Sequence, residues 1–201
     1  MTSELPAAAA IAEYQIRALA EVKRGQPWPS ASPMPLWRAI EDNHRSNVAL
    51  WDEEDQARRR DVPDSVIAAC KRSIDGHNQR RNDAVERIDE AVLASLPPPV
   101  ETARLNSETA GAMIDRLSIL SLKMHHMAWQ TQRPDREAEH HALSRARLER
   151  LREQHADLVA CLDELLRGCA DGSRRFKIYR QFKMYNDARF NPWLAGQGPD
   201  A

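Results

Sequence analysis

Glycine is scarce here, seven in 201 residues, and valine, isoleucine and threonine together number 21 against 29 alanines and 18 leucines. A chain so poor in strand formers and so rich in helix formers excludes a β-rich fold. Cysteine is also sparse. Cys70, Cys161 and Cys169 form no Cys-x-x-Cys pair and cannot all be bridged, so a disulfide framework is excluded and a reducing cytoplasm is expected. No apolar run approaches the ~18 residues that a membrane span requires. The Ala-rich start has no early basic cluster and carries Glu4, Glu13 and Glu21, which argues against a signal peptide. Nor does one sign of charge dominate. With 29 basic and 30 acidic residues, no global field points to nucleic acid or anionic lipid. What remains is a soluble, cytoplasmic, helical protein of single-domain length.

Proline and the few glycines divide it. Residues 6–24 predict a short amphipathic helix between Pro6 and Gly25. Pro27, Pro29, Pro33 and Pro35 make 25–35 an extended linker, so that leading helix is expected to dock loosely or to mediate self-association. A second helix spans 36–57, and a third runs from Asp64 to about Leu96, where Pro97-Pro98-Pro99 stops it. Asn106 or Ser107 is expected to cap a fourth helix over 107–130, with Glu108 in its first turn. Pro134 and Asp135 open a fifth that ends near Gly168. A further short helix is expected within the basic, aromatic stretch 173–194, whose interleaving is read as packing across the bundle or closing one end of its core, rather than as holding nucleic acid. The fold class is therefore all-α: a bundle of four long helices with a short N-terminal and a short C-terminal helix. Its parts are 1–35 (helix and linker), 36–194 (bundle) and 195–201 (a disordered tail). The fifth helix carries a seam of Leu148, Leu151, His155, Leu158, Leu162 and Leu165. The fourth is apolar on two sides, which predicts a central position.

The apolar stripes are interrupted by hydrogen-bonding residues. His44 and Asn47 fall among Trp37, Ile40 and Trp51; Asn78 and Arg81 fall within the stripe Ile67, Cys70, Ile74, Val85, Ile88 and Val92. Burying such groups unpartnered costs several kcal/mol. They are therefore expected to converge with Asn82 and with a carboxylate, Glu108 or Asp115. The set then forms either a ligand site, with a guanidinium fork for an anion and amides for hydroxyls, or a self-satisfied network that sets helix register.

Two other chemistries are weaker. Glu41–His44 and Glu137–His140 have the Glu-x-x-His spacing of di-metal bundles, which Glu86 and Glu108 could complete. Glu41 lies at its stripe's edge, however, and the second pair lies in a first turn, so no metal or cofactor is assigned. His125-His126 and His140-His141 point about 100° apart and cannot chelate from one face. No base stands near any cysteine in sequence.

Three segments resemble a bacterial family catalogued as domain of unknown function 4254. They are Leu36-Trp37-Arg38-Ala39-Ile40-Glu41-Asp42-Asn43-His44 with Asn47 and Trp51, then Asn78-Gln79-Arg80-Arg81-Asn82-Asp83, and the long run from Leu105 to Leu120 through Asn106-Ser107-Glu108-Thr109-Ala110-Gly111. Lys183-Met184-Tyr185-Asn186-Asp187 with Asn191-Pro192 is similar too, although Ala188 stands where the family usually has proline. The resemblance covers about 36–194. It implies a helical protein, often encoded beside glycosyltransferases of surface-polysaccharide assembly, and so a site for a phosphorylated or nucleotide-linked sugar. On that reading Arg81, with Arg116, would hold the anion, His44 and the asparagines would orient hydroxyls, and Glu108 or Asp115 would be the acid or base. An enzyme and a simple binding protein both satisfy it. The rival is a non-enzymatic adaptor for a glycosyltransferase partner. In either case a homodimer is expected.

Overall fold

The computed structural model describes residues 5–180 and 187–196. Its helices are α1 (Ala8–Lys23), α2 (Pro35–Ala57), α3 (Asp64–Ala94), α4 (Ala110–Gln130) and α5 (Ala138–Ala170). Among the described residues no helix is long and apolar enough to cross a membrane. Proline set the starts of two helices but not of α5, which opens after Glu137 rather than at Pro134 and Asp135. Pro35 occupies the first turn of α2, and Pro63 holds extended backbone before Asp64, whose carboxylate lies in the first turn of α3.

The start of α4 differs from expectation. Neither Asn106 nor Ser107 caps it: the cap is Thr109, whose Oγ1 accepts from the Ala112 N–H at 3.1 Å. Glu108 therefore lies outside the helix. The residues before it are drawn away by pairing. Arg104–Leu105 (β1) runs parallel to Arg174–Arg175 (β2), with Asn106 N–H donating to the Arg175 carbonyl at 2.8 Å. This two-residue ladder ties the entry of α4 to the exit of α5. It also replaces the start of the expected C-terminal helix: 176–180 form no helix, 187–196 form turns, and the rest of that expectation lies outside the described residues.

Helix α4 is central, as its two apolar sides required. It packs against α1, α2, α3 and α5, burying Met113, Ile114, Leu117 and Leu122. The seam of α5 buries Leu148, His155, Leu158, Leu162 and Leu165, while Leu151 is only half-buried. Helix α1 does not dock loosely. Ile11, Tyr14 and Ala18 are buried in the same cluster as Ile40, Ile114 and Leu162. Gln15, fully buried, donates from Nε2 to the Ile114 carbonyl at 3.2 Å. The proline linker is fastened too: Trp28 Nε1 donates to Tyr14 Oη at 3.1 Å, and Tyr14 Oη donates to the Pro29 carbonyl at 3.2 Å.

Where α3 crosses α4, the contact is made at Gly111. A Cβ built there would stand 2.5 Å from the Val85 carbonyl oxygen and 2.9 Å from Asp89 Oδ1. The Gly111 N–H donates to that same carboxylate at 2.6 Å. Buried Asp89 thus takes up one of the amide groups that a helix N-terminus leaves unpaired. The close crossing sets the depth at which the side chains of α3 meet the next two turns of α4.

Candidate functional site

Those turns carry Asp115 and Ser118, and α2 faces them with Asn43, His44 and Asn47, all buried. Asn43 Nδ2 and Asn47 Nδ2 each donate to Asp115 Oδ1 at 2.8 Å. Asn47 also donates to Ser118 Oγ at 3.0 Å, and that oxygen lies 2.7 Å from His44 Nδ1. Arg81 reaches the same carboxylate from α3, its Nε 4.0 Å from Asp115 Oδ1. Four predicted residues, His44, Asn47, Arg81 and Asp115, are thus brought together across three helices.

His44 is fully buried, and loss of water pushes its pKa down to about 4; the backbone of Gln15 pulls weakly the other way. The ring is neutral at neutral pH, so it orients neighbours and carries no charge to a ligand. Its Nε2 has no hydrogen-bond partner among the described residues.

The set divides into two halves. The inner half, Asn43, His44, Asn47, Ser118 and Asp115, closes largely on itself as a network. The outer half opens on a groove of about 350 Å³ between α2, α3 and α4, lined by Asn47, Leu50, Trp51, Glu54, Asp55, Arg58, Asn78, Arg81, Ile119 and Leu122. Trp51 walls it, braced by His126 stacked at 4.4 Å, and Arg58 is held by Glu54 at 2.8 Å. Among the described residues Arg81 has an enclosed Nε without a hydrogen bond, and its Nη2 makes a 3.5 Å contact to Asn82 Oδ1. The groove can therefore offer a guanidinium, amides and an aromatic wall to a small hydroxylated anion.

Asn78 lines that groove and makes no side-chain hydrogen bond among the described residues. Asn78→Leu is accordingly expected to leave stability within about 0.5 kcal/mol. Asn47→Leu, which removes one of the two amides bonded to Asp115 and one of the two partners of Ser118, is expected to cost about 1–3 kcal/mol. Urea denaturation of both variants checks the pair. A larger loss for Asn78→Leu than for Asn47→Leu would reverse the division into inner and outer halves.

Other predicted positions fall elsewhere. Glu108 and Arg116 do not join the groove; Arg116 Nη1 donates to both Glu108 oxygens at 2.7 Å on an exposed face toward α5. The reason is the shifted cap, which places Glu108 in the loop, while Arg116 lies 100° round the helix from Asp115. Asn82 contacts Arg81 but does not line the groove. The Glu-x-x-His pairs are not assembled either. Glu41 accepts from Arg45 at 2.9 Å and from the Ala31 N–H at 3.3 Å. His140 faces Gln130 at 3.1 Å, and His141 donates to the Arg133 carbonyl at 2.8 Å. Among the described residues no group of three or more His, Cys, Asp or Glu stands in metal-binding geometry. Sequence reasoning missed Asn43 and Ser118 as network members. Ser118 could have been found, since it lies one turn beyond Asp115 on the same face.

The geometry accounts for the long motif from Leu105 to Leu120. Within it Leu105 pairs in the ladder, Thr109 caps, Gly111 permits the crossing, and Asp115 and Ser118 hold the network. No curated protein and no solved structure matches the chain. One family model does, described as "Protein of unknown function (DUF4254)", over residues 37–178. The match ends before the similar segment at 183–192. With most of its length so matched, the chain belongs to this family.

Proposed function

We propose that the protein binds a small phosphorylated sugar in the groove between α2, α3 and α4. The observation that carries this is Arg81, a guanidinium on the groove wall whose Nε has no hydrogen bond and whose Nη2 is weakly engaged among the described residues, beside the amide of Asn78, which has no side-chain hydrogen bond among them. A structural arginine would have its fork filled by Asp115. Here the carboxylate oxygen that faces it, Oδ1, is taken at 2.8 Å by two asparagines and stands 4.0 Å from the guanidinium Nε. The groove's volume is at the low end for ligand sites, which favours a sugar phosphate over a nucleotide-linked sugar. Binding is what the groups support; with Glu108 outside the groove, no acid or base is assigned. We take the protein to work in the cytoplasm as a homodimer, the unpaired cysteines suiting a reducing compartment.

The test is a thermal screen of sugar phosphates, neutral sugars and inorganic phosphate. A cognate sugar phosphate at a hundred times its Kd adds about 2.7 kcal/mol, a rise of roughly 5–11 °C for a domain of this size. Arg81→Met should remove the shift and leave a folded protein. Equal shifts with neutral sugars would show that Arg81 holds no anion.

A second reading, an adaptor for a glycosyltransferase, is favoured by one feature. Phe190, Trp193 and Leu194 are exposed within 187–196, as is Trp129 at the end of α4, and clustered exposed aromatics suit a partner surface. If no anionic sugar moves the melt, this reading takes precedence.

A further inference from the structure

A second groove, of about 390 Å³, runs between α1, α4 and α5, and its floor contains a polar group that packing does not explain. His155 interrupts the leucine seam of α5. It is 9% exposed, its Nε2 is enclosed, and its ring makes no hydrogen bond among the described residues. Burial lowers its pKa, so the ring is neutral at neutral pH. A leucine here would complete the seam, whereas an unpartnered buried imidazole is a net cost. The position makes physical sense if a ligand supplies the missing partner.

The surroundings say what kind. Leu19 and Leu148 share the floor with His155, and Met124, Ala128 and Ala20 form the walls. The cation at the rim is Arg152, one turn from His155 on the same face of α5. Its partner, Glu149, holds it in an exposed pair, which exchanges at little cost. The groove therefore has largely apolar walls, interrupted by Ser121 and His125, and along α5 a guanidinium one turn from a buried neutral imidazole. We propose that it binds a medium-chain aliphatic carboxylate, with the hydrocarbon against Met124, Ala128 and Leu148 and the carboxylate between Arg152 and His155. The small volume suits a chain of about ten carbons rather than a membrane lipid.

Decanoate, below its micellar concentration, is the probe, and decanol and acetate are the controls. The full chain should bind one decanoate saturably by calorimetry. At ten times its Kd the melting temperature should rise by roughly 3–6 °C. Decanol, which cannot engage the guanidinium as an anion, should bind at least about tenfold more weakly, as should decanoate to Arg152→Gln. Ala128→Phe fills the groove and should abolish binding in a protein that melts normally without ligand. If that variant does not fold, Ala20→Phe blocks the groove from the opposite wall. The proposal is overturned by absence of saturable binding, by equal affinity for decanoate and decanol, or by wild-type binding in the filled variant. None of these outcomes bears on Arg81 and the sugar phosphate, which concern a different groove.

Discussion

Gly111→Ala is expected to destabilise the protein by about 1–3 kcal/mol, as overpacking at a tight contact does, and so to lower its melting temperature by roughly 2–12 °C. Glycine in a helix is ordinarily a weakness, and replacing it by alanine gains about 1 kcal/mol. Here the added methyl would stand 2.5 Å from the Val85 carbonyl oxygen, and backbone of a neighbouring helix cannot swing aside. Opening the α3–α4 crossing would also stretch the 2.6 Å bond from Gly111 N–H to Asp89. Gly76, in the middle of α3, is the control. Its nearest neighbour would be the Arg80 guanidinium at 3.5 Å, an ordinary contact. Gly76→Ala should therefore raise the melting temperature by a few degrees, up to roughly 4 °C. The same substitution in two helices is expected to have opposite signs, and calorimetry of both variants decides it. A neutral Gly111→Ala would mean that the helices do not cross as closely as described.

Acid titration is expected to show two opposed effects. The His44 pKa is lowered from 6.5 to about 4 by burial. Its contribution to stability is present above pH 6.5 and lost as pH falls through about 4, because the unfolded chain takes up the proton first; the loss is about 3 kcal/mol. The Asp89 pKa is raised from 3.8 to about 6, chiefly by burial, with the hydrogen bonds from Thr109 and Gly111 opposing. Its contribution is present below about 3.8 and lost as pH rises through about 6, again by about 3 kcal/mol. Between pH 6.5 and 4 the two nearly cancel, and the wild-type stability curve should be close to flat for these groups. Single variants unmask each. Relative to wild type, His44→Gln should gain stability on acidification, and Asp89→Asn should lose it. Urea midpoints at pH 4, 5, 6 and 7 measure both slopes. Difference curves of the same sign would rule out this account of the buried pair.

Much of the architecture was legible because its signals are local. Helix ends at Pro35 and Pro63 follow from a ring that has no N–H and fixes φ, and the central place of α4 follows from apolar residues on two of its sides. The site was legible in part for the same reason. His44, Asn47, Asn78 and Arg81 sit at core phases of their helices, and helical phase can be counted along the chain. The misplacement of Glu108 and Arg116 came from the opposite circumstance. The cap at Thr109 depends on Asp89 and on a strand pair 70 residues away in sequence, and neither shows in the motif itself. Asn43 was missed because a small polar residue in a helix has the same look whether it meets solvent or a carboxylate; Ser118, one turn beyond Asp115 on the same face, was legible from helical phase.

The amino-acid sequence by itself determined an all-helical chain, the approximate extent of its long helices, the inward face of each, and the presence of polar groups on those faces that need partners. Only the tertiary structure decided how deep each face sits and what it meets. The leading helix is core because Gln15 and Ile11 find α4 beneath them, and of two asparagines on one groove Asn78 is left to the opening while Asn47 is bonded to Asp115 and Ser118. Periodicity fixes the direction of a side chain about its own helix axis. Depth and partners depend on where two axes cross, and here that is set by a single glycine against a neighbouring carbonyl, a contact between residues 26 apart that no local pattern records.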